Sequence, residues 1–239
     1  MQPWLIFSLT ASLGAMGELA GHERRGSLIW PGRSAIIGLL GAAMGIRREG
    51  DFSALDALQI CVAVFDSGQA LRDFHTVQTV PSAAVKAPNS RPEALAAVGT
   101  RVNTTITLRD YRAGALYGIA VTGAEDTLAA LAAALQHPRF QLFLGRKSCP
   151  LAAPPGPAIV HSDGPEVALQ SLTLPPWRKG ARADLLVADA GPDDGHREIR
   201  HDQPLSRELW HFGPREVAYR TVRIAPGSAP ADNAVGEIN

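Results

Sequence analysis

A short loop, Leu144–Pro150, combines residue types suited to holding phosphate. Gly145 can adopt backbone angles that other residues avoid, so that successive N–H groups can point at one anion. Arg146 and Lys147 would add charge-assisted contacts, and Ser148 would add a hydroxyl donor. A tight turn with solvated cations is the alternative interpretation, because surface Arg–Lys pairs are common. Taken together, these residue types favour a polyanion as ligand.

A second group of residues suited to anion binding begins at Arg33. Ser34 stands where an N-cap is expected for an apolar helix that continues to Met44 and ends near Gly45. The start of such a helix offers free N–H groups and the positive end of the helix dipole, here beside a guanidinium. We therefore predict a second anion site. A binder of small phosphates or nucleotides would use the same two sites, but the chain lacks the Gly-x-x-x-x-Gly-Lys-Ser/Thr string of P-loop proteins.

Acid–base and metal chemistry have less support. His75 stands near Asp73 in the segment Leu71–Val77, and such a pair can serve general acid–base cleavage of RNA. A histidine on a strand is more simply a groove or core residue, so we predict no catalytic residue and keep a metal-independent endoribonuclease as the alternative. The run Asp193–His196 lacks matching partner ligands, so we predict a solvated loop there, with no metal and no cofactor.

The amino-acid composition restricts which ligands the chain is expected to bind and in which cellular compartment it is expected. The chain has 239 residues, 46% of them hydrophobic, and can bury one large core or two smaller ones. Lys plus Arg equals Asp plus Glu at 23 each, so a polyanion site must come from local clustering of charge. Cys61 and Cys149 are too few for a disulfide framework and lack metal-ligand spacing, which favours a reducing cytoplasm. The apolar start, Met1–Leu13, has no basic region before it, and we predict neither a signal peptide nor a membrane span.

Hydrophobic periodicity predicts alternating strands and helices. In chain order the further elements are strands at 4–9, 60–65 and 71–77, paired strands at 103–109 and 116–121, a helix over 125–136 and a strand over 141–144. The strands at 60–65 and 71–77 are expected to form a hairpin around Ser67–Gly68. An excursion at about residues 78–105 interrupts the sheet, and the flanking Arg101, Arg109 and Arg112 indicate a functional insertion.

This order of elements matches the α+β ferredoxin-like plan, which also underlies RNA-recognition modules. We predict a ferredoxin-like domain over residues 1–150 and a small strand-rich domain over 151–225, with a helix near 165–172 and strands at 183–188 and 217–224. Residues 226–239 have little to bury and are predicted to be disordered.

Five aromatic residues are candidates for contacts with a ligand or partner. Trp30, Phe74 and Tyr111 could stack on nucleobases, although a single aromatic beside an apolar segment is more often part of the core. Trp177 and Trp210 could contact partner proteins, although a place in a small secondary core is again the commoner role.

Three strings in this order carry a resemblance to a known family. They are Arg33–Ser34 before a glycine-rich helix, Leu71–Val77, and Leu144–Leu151. Together they resemble the CasD family, the subunits of type I-E CRISPR Cascade that cap the 5′ end of the guide RNA. The resemblance extends from about residue 3 to residue 224.

The resemblance implies a fold, a function and a set of RNA contacts. Members of this family have a ferredoxin-like domain of the RAMP superfamily, a projecting thumb, here residues 78–105, and a smaller C-terminal domain. They bind the 5′ handle of the CRISPR RNA, contact the backbone and large subunits of Cascade, meet target DNA through the assembly, and leave cleavage of the precursor to another subunit. Adding the flanking arginines, the predicted RNA contacts are Arg25, Arg33, Ser34, His75, Arg101, Arg109, Arg112, Gly145, Arg146, Lys147 and Ser148.

Overall fold

A mixed sheet forms the centre of the protein. The computed structural model describes residues 1–18, 23–81, 83–84, 89–209 and 211–227. The strands are β1 (Gln2–Gly14), β2 (Arg24–Arg25), β3 (Gln59–Asp66), β4 (Gln69–Thr79), β5 (Asn103–Thr122), β6 (Ala158–Ser162), β7 (Ala183–Asp189), β8 (Arg197–Ser206) and β9 (His211–Ile224). They pair in the order β6-β1-β5-β3-β7-β9-β8, and β2 and β4 add to β5. The pairing of β2 with β5 is parallel and the other pairings are antiparallel.

Short helices cover both faces of this sheet. They are α1 (Arg33–Met44), α2 (Ser53–Asp56), α3 (Arg91–Val98), α4 (Glu125–Gln136) and α5 (Pro165–Leu169), and a 3-10 turn spans Pro176–Arg178. The helix predicted over 125–136 is therefore confirmed. Gly32, not Ser34, is the N-cap of α1, because the Gly32 carbonyl accepts the N–H of Ala35 and of Ile36. Within the described residues no helix is both long and apolar enough to cross a membrane.

Strand β1 is buried on both faces. Leu5, Phe7 and Leu9 point into a first core beneath α1 and α4, whereas Trp4 and Ile6 point into a second core on the other face, beneath α5. Because successive side chains of a strand point to opposite faces, a strand buried on both faces appears in the sequence as a continuous apolar run.

The predicted pairing around residues 60–121 was wrong in two respects. β3 does not form a hairpin with β4; its neighbours are β5 and β7, and β4 pairs with the first half of β5. The two strands predicted at 103–109 and 116–121 are parts of the single 20-residue strand β5. The second half of β5 already lies between β1 and β3, so β4 can pair only with the half that extends beyond them.

Strands C-terminal to residue 150 extend the same sheet at both sides. β6 pairs with β1, and β7 pairs with β3. The strands predicted at 183–188 and 217–224 are confirmed, whereas β6 and β8 were not predicted. The division into domains 1–150 and 151–225 stays a prediction, in which both domains would share one sheet. Residue 82 and residues 85–88 of the predicted excursion, and the tail from residue 228, lie outside the described residues.

Candidate nucleic-acid interface

The glycine loop is closed by backbone contacts rather than by a regular strand. Phe143 and Pro150 form an isolated bridge, and the Leu144 N–H donates to the Cys149 carbonyl at 2.8 Å. The strand predicted at 141–144 is therefore reduced to this single bridge. The Cys149 N–H donates to the Arg146 carbonyl at 2.8 Å, which makes a tight turn whose exposed tip is Lys147 and Ser148.

Gly145 is required by a close approach to the end of β1. Its φ is +87°, and a Cβ atom at this position would lie 1.6 Å from the Ala15 carbonyl oxygen. The Ala15 N–H donates to the Leu144 carbonyl at 3.0 Å, so the loop is hydrogen-bonded directly to the chain leaving β1. Glycine thus fixes the position of the loop as well as its turn.

Arg146 clamps the loop to strands β2 and β5. Its Nη1 donates to the Asp110 carbonyl at 3.3 Å and its Nη2 to the Arg25 carbonyl at 3.2 Å. Its guanidinium carbon lies 4.4 Å from the centroid of the Tyr111 ring. These partners are neutral, so they orient the guanidinium without cancelling its charge. Lys147 is exposed, and its side chain forms no hydrogen bond or ion pair within the described part of the chain.

Residues of the β4–β5 hairpin join Arg146 on one face. The register places His75 opposite Thr107, Asp73 opposite Arg109 and Leu71 opposite Tyr111, so these residues share the face on which Arg146 stacks. The Nε atom of Arg109 is buried without a hydrogen-bond partner among the described residues. This face therefore carries two arginines, the carboxylate of Asp73 and a half-buried histidine.

An ion cluster on the other face of the hairpin fixes β2 in place. The Arg72 Nε atom lies 2.7 Å from Asp110 Oδ1, and Arg24 Nη2 lies 3.0 Å from Asp110 Oδ2. Hydrogen bonds donated by Arg72, and then by Arg24, lower the pKa of Asp110 to about 2. β2 is thereby held against β5, which places Arg25 opposite Arg109.

A cavity of about 590 Å³ joins the two sites that were predicted separately. Ser34, Ala35 and Gly38 of α1 form one wall, and Gly145 and Arg146 of the glycine loop form another. The other walls are mainly apolar and aromatic, and include Leu39, Ala42, Phe52, Phe140, Phe143 and Phe212. The site is thus a mainly apolar cleft that Arg48, Arg146 and Arg207 also line, a combination typical of small-ligand and nucleobase sites.

Arg33 does not join Ser34 in this wall. Its side chain is buried, its Nη2 donates to the Asp56 carbonyl at 2.7 Å, and burial lowers the pKa of its guanidinium. The backbone N–H of Arg33 donates to Asp202 Oδ2 at 3.1 Å. The start of α1 is therefore contacted by a carboxylate of the protein itself, and Ser34 is the exposed residue of this pair.

The remaining predicted contacts lie along β5, away from the cavity. Arg101 is exposed between α3 and β5, and Arg25 is exposed on β2. Arg112 lies at the base of the hairpin, where its Nη1 donates to the Gly68 carbonyl at 3.4 Å. The structure therefore groups Arg25, Arg109 and Arg146 around the hairpin and leaves Arg101 toward its outer end.

The aromatic candidates differ in exposure. Trp30 is buried, with its ring 6.3 Å from that of Tyr219, and so belongs to the core. Tyr111 is covered by Arg146, whereas Phe74 and Trp177 are exposed. Trp210 lies outside the described residues.

Two acidic residues, Asp194 before β8 and Asp202 within it, are bound by arginines. Asp194 binds Arg220 through both carboxylate oxygens, and hydrogen bonds from Arg220 lower the pKa of Asp194 to about 2. Asp202 binds Arg215 in the same bidentate way. Within the ranges that the structure describes, no group of three or more potential metal ligands occurs.

Sequence reasoning missed the β8–β9 side of the cavity. Arg207 and Phe212 line it, and Arg207 is held by Asp56 while its guanidinium carbon lies 4.2 Å from the centroid of the Phe52 ring. Arg207 and Phe212 are more than 150 residues away from Phe52 and Asp56 in the chain, and no local sequence pattern indicates that they are neighbours in space.

Comparison with known proteins identifies the family. The family model described as CRISPR-associated protein (Cas_Cas5) matches residues 4–218. The CRISPR system Cascade subunit CasD of Escherichia coli (strain K12) is 31% identical over 185 residues, which cover 71% of this chain and 76% of the relative. The resemblance to CasD stated from the three strings is thereby confirmed.

Solved structures agree in fold. A chain of a CRISPR RNA-guided surveillance complex matches with a TM-score of 0.67 and 22% identity, covering 94% of both chains. A crystal structure of a Cas protein matches with a TM-score of 0.61 and 25% identity, covering 92% of this chain and 95% of that one. On the strength of the family model and the CasD relative, this chain belongs to the Cas5 family of CRISPR-associated proteins.

Proposed function

We propose that the protein is a non-catalytic, cytoplasmic subunit of a type I-E Cascade complex that binds the 5′ handle of the CRISPR RNA. The observation that carries the proposal is the shared cavity, in which Ser34 and the glycine loop face one another beside the cationic hairpin face. The E. coli relative is named a Cascade subunit, which supports the same assembly for this chain.

The two parts of the site suit two parts of a nucleotide. Lys147 and Arg109 present charge to a phosphate backbone, and the apolar cavity provides a place for one base turned out of the stack. Arg146 stands between them, oriented by two carbonyls and the Tyr111 ring. A single strand held in this way needs only local cations, which agrees with a net charge of zero.

In this proposal the subunit does not select the target sequence. In RNA-guided surveillance the guide selects the target by base pairing, so the protein needs only to hold a constant segment in a fixed path. We further propose that the sheet is the ferredoxin-like RAMP domain and that β4, α3 and the first half of β5 form the thumb. This thumb and the adjoining surface would contact the backbone and large subunits, and the assembly would bring target DNA to the complex.

One observation favours a second candidate, a metal-independent endoribonuclease. His75 shares the hairpin face with Tyr111 and Arg109, and a ribonuclease could use such groups for proton transfer and charge stabilisation. This candidate predicts cleavage of repeat RNA in the presence of EDTA and loss of cleavage in His75→Ala. Intact RNA after incubation with folded protein would exclude it.

The RNA-binding proposal is tested by guide retention. The chain is co-expressed with the other Cascade subunits and a repeat array, and the RNA that purifies with it is quantified and sequenced at its 5′ ends. We expect uniform ends within the repeat and a several-fold loss of guide RNA in the double variant Arg146→Ala, Lys147→Ala.

A matched control separates this effect from general loss of charge. Arg47→Ala with Arg223→Ala removes two exposed cations that do not line the cavity. This variant should retain guide RNA at the wild-type level. Equal retention by both double variants, with both folded, would refute the proposed function.

A further inference from the structure

A second surface with cations and an exposed aromatic ring lies on the opposite face of the sheet from the cavity. The glycine loop packs on the first core through Leu144, whereas Leu169 and Leu172, which precede this surface, pack on the second core. The surface is the segment Trp177–Arg182, and its sequence is Trp-Arg-Lys-Gly-Ala-Arg.

Trp177 is held outward on a fixed backbone. Its side chain is 62% exposed, which is unusual for the largest apolar residue type. Pro175 before it is buried, and Arg178 after it binds Asp66 at 2.9 Å and donates to the Gly114 carbonyl. Because the backbone is fixed on both sides of Trp177, binding of a ligand to the flat face of the ring costs little conformational entropy.

Two cations follow this ring in the chain, on either side of a turn glycine. The Ala181 N–H donates to the Arg178 carbonyl at 3.1 Å, and Lys179 and Gly180 occupy the turn with Gly180 at φ +84°. With Lys179 at φ −57° and ψ 131°, this is a type II β-turn, which needs glycine at its third position. Lys179 and Arg182 are exposed, and their side chains form no hydrogen bond or ion pair within the ranges that the structure describes.

The positive charge of this surface is not neutralised by acidic residues close to it in the sequence. No acidic residue occurs in the sequence between Glu166 and Asp184. Arg112 adds a further cation, because its Nη1 donates to Gly68 in the turn whose Asp66 holds Arg178. Arg112 thus brings one of the predicted RNA contacts to this surface.

We propose that Trp177–Arg182, with Arg112, is a second binding surface for single-stranded nucleic acid. An exposed ring that stacks on a base, next to uncompensated cations that contact phosphates, is the arrangement by which proteins bind single strands without sequence preference. The exposed chain neighbours of Trp177 are Pro176, Lys179, Gly180 and Arg182, so cations rather than large apolar side chains flank the ring. A protein hot spot centred on tryptophan is usually surrounded by contacts that exclude water, so nucleic acid fits this surface better.

This proposal goes beyond 5′-handle binding and can be tested separately from it. The full chain carrying Arg146→Ala and Lys147→Ala, which disables the handle site, is titrated with fluorescein-labelled RNA of about 12 nucleotides and with DNA of the same sequence. Adding Trp177→Ala should weaken binding roughly tenfold, whereas Trp177→Phe, which keeps a ring, should weaken it about twofold.

The contribution of the cations to binding is measured by the salt dependence of the affinity. Lys179→Ala with Arg182→Ala should lower the slope of log affinity against log salt by about 1.4, because each phosphate contact on a single strand contributes about 0.7. Arg47→Ala with Arg139→Ala is the control here, since Arg47 follows α1 and the Arg139 N–H donates to Ala43 of α1, which packs on the first core. It should leave affinity and slope unchanged.

Fluorescence of Trp177 gives a direct signal. Trp4 and Trp30 are buried, so quenching by added oligonucleotide that disappears in Trp177→Phe reports stacking on this ring. The RNA and DNA arms show which strand the surface prefers. Unchanged affinity in Trp177→Ala, or a loss only of co-purification with other Cascade subunits, would overturn the proposal, the latter by showing a protein contact.

Discussion

Substitution of Gly145 by alanine should uncouple the glycine loop from the sheet. The added Cβ would lie 1.6 Å from the Ala15 carbonyl oxygen, far short of the ~3.3 Å at which carbon and oxygen atoms normally touch. The contact is with backbone, so no side-chain rotation can relieve it. The loop must instead withdraw, which breaks the 3.0 Å hydrogen bond from the Ala15 N–H to the Leu144 carbonyl and disturbs the carbonyl contacts of Arg146.

The expected loss of stability has two parts. A left-handed backbone costs a non-glycine residue about 1–2 kcal/mol, and each hydrogen bond lost costs about 1 kcal/mol. The free energy of unfolding should therefore fall by about 3 kcal/mol in Gly145→Ala.

Gly156→Ala is the matched control for backbone strain. Gly156 also has a positive φ, at +61°, but nothing lies within 4 Å of the position that a Cβ would occupy. This variant should lose only the strain, about 1 kcal/mol. Urea denaturation of both variants measures the two costs on the same scale. Equal losses in the two variants would refute the close approach assigned to Gly145.

Two further predictions concern charged groups. Replacing Arg33 by alanine should lower the free energy of unfolding by about 3 kcal/mol, because it empties the space of a buried side chain and removes the hydrogen bond to the Asp56 carbonyl. Urea denaturation measures this loss, and an unchanged midpoint would contradict the structural role of Arg33. The hydrogen-bonded ion pair with Arg72 lowers the pKa of Asp110 in the folded protein to about 2, whereas the pKa of an aspartate in the unfolded chain is about 4. The pair therefore contributes its full stabilisation above about pH 4, and this contribution is lost as the pH falls toward 2. The stability difference between wild type and Asp110→Asn should therefore shrink between pH 5 and pH 2, and a difference independent of pH over about that range would argue against the cluster.

Elements with local signals were predictable from the sequence. The helix over 125–136 was found with its bounds because acids at its start and an apolar stripe both lie within one segment. The glycine loop stood out because its cations, hydroxyl and glycine are contiguous. The apolar run that forms β1 was found for the same reason, although burial on both faces extends the strand well beyond residues 4–9.

Features that depend on long-range pairing were not predictable in this way. A glycine turn at Ser67–Gly68 indicates a hairpin, but β3 is buried between β5 and β7, so β4 continues beyond the sheet along β5. Ser34 has the residue type of an N-cap, yet Asp202 of β8 binds the helix start from a distance of 169 residues along the chain. Arg207 and Phe212 line the cavity because β8 packs beside α1 and pairs with β9, and no local sequence pattern predicts this packing.

The most direct test of the account is a map of RNA cross-links on the assembled complex. A CRISPR RNA with 4-thiouridine at single positions of its 5′ handle is bound, irradiated and digested, and the modified peptides are identified by mass spectrometry. We expect one handle position to cross-link to the walls of the cavity, in the peptides that contain Ser34–Gly38 and Phe140–Arg146. Cross-links from every handle position that fall only outside these two segments would contradict the proposed site.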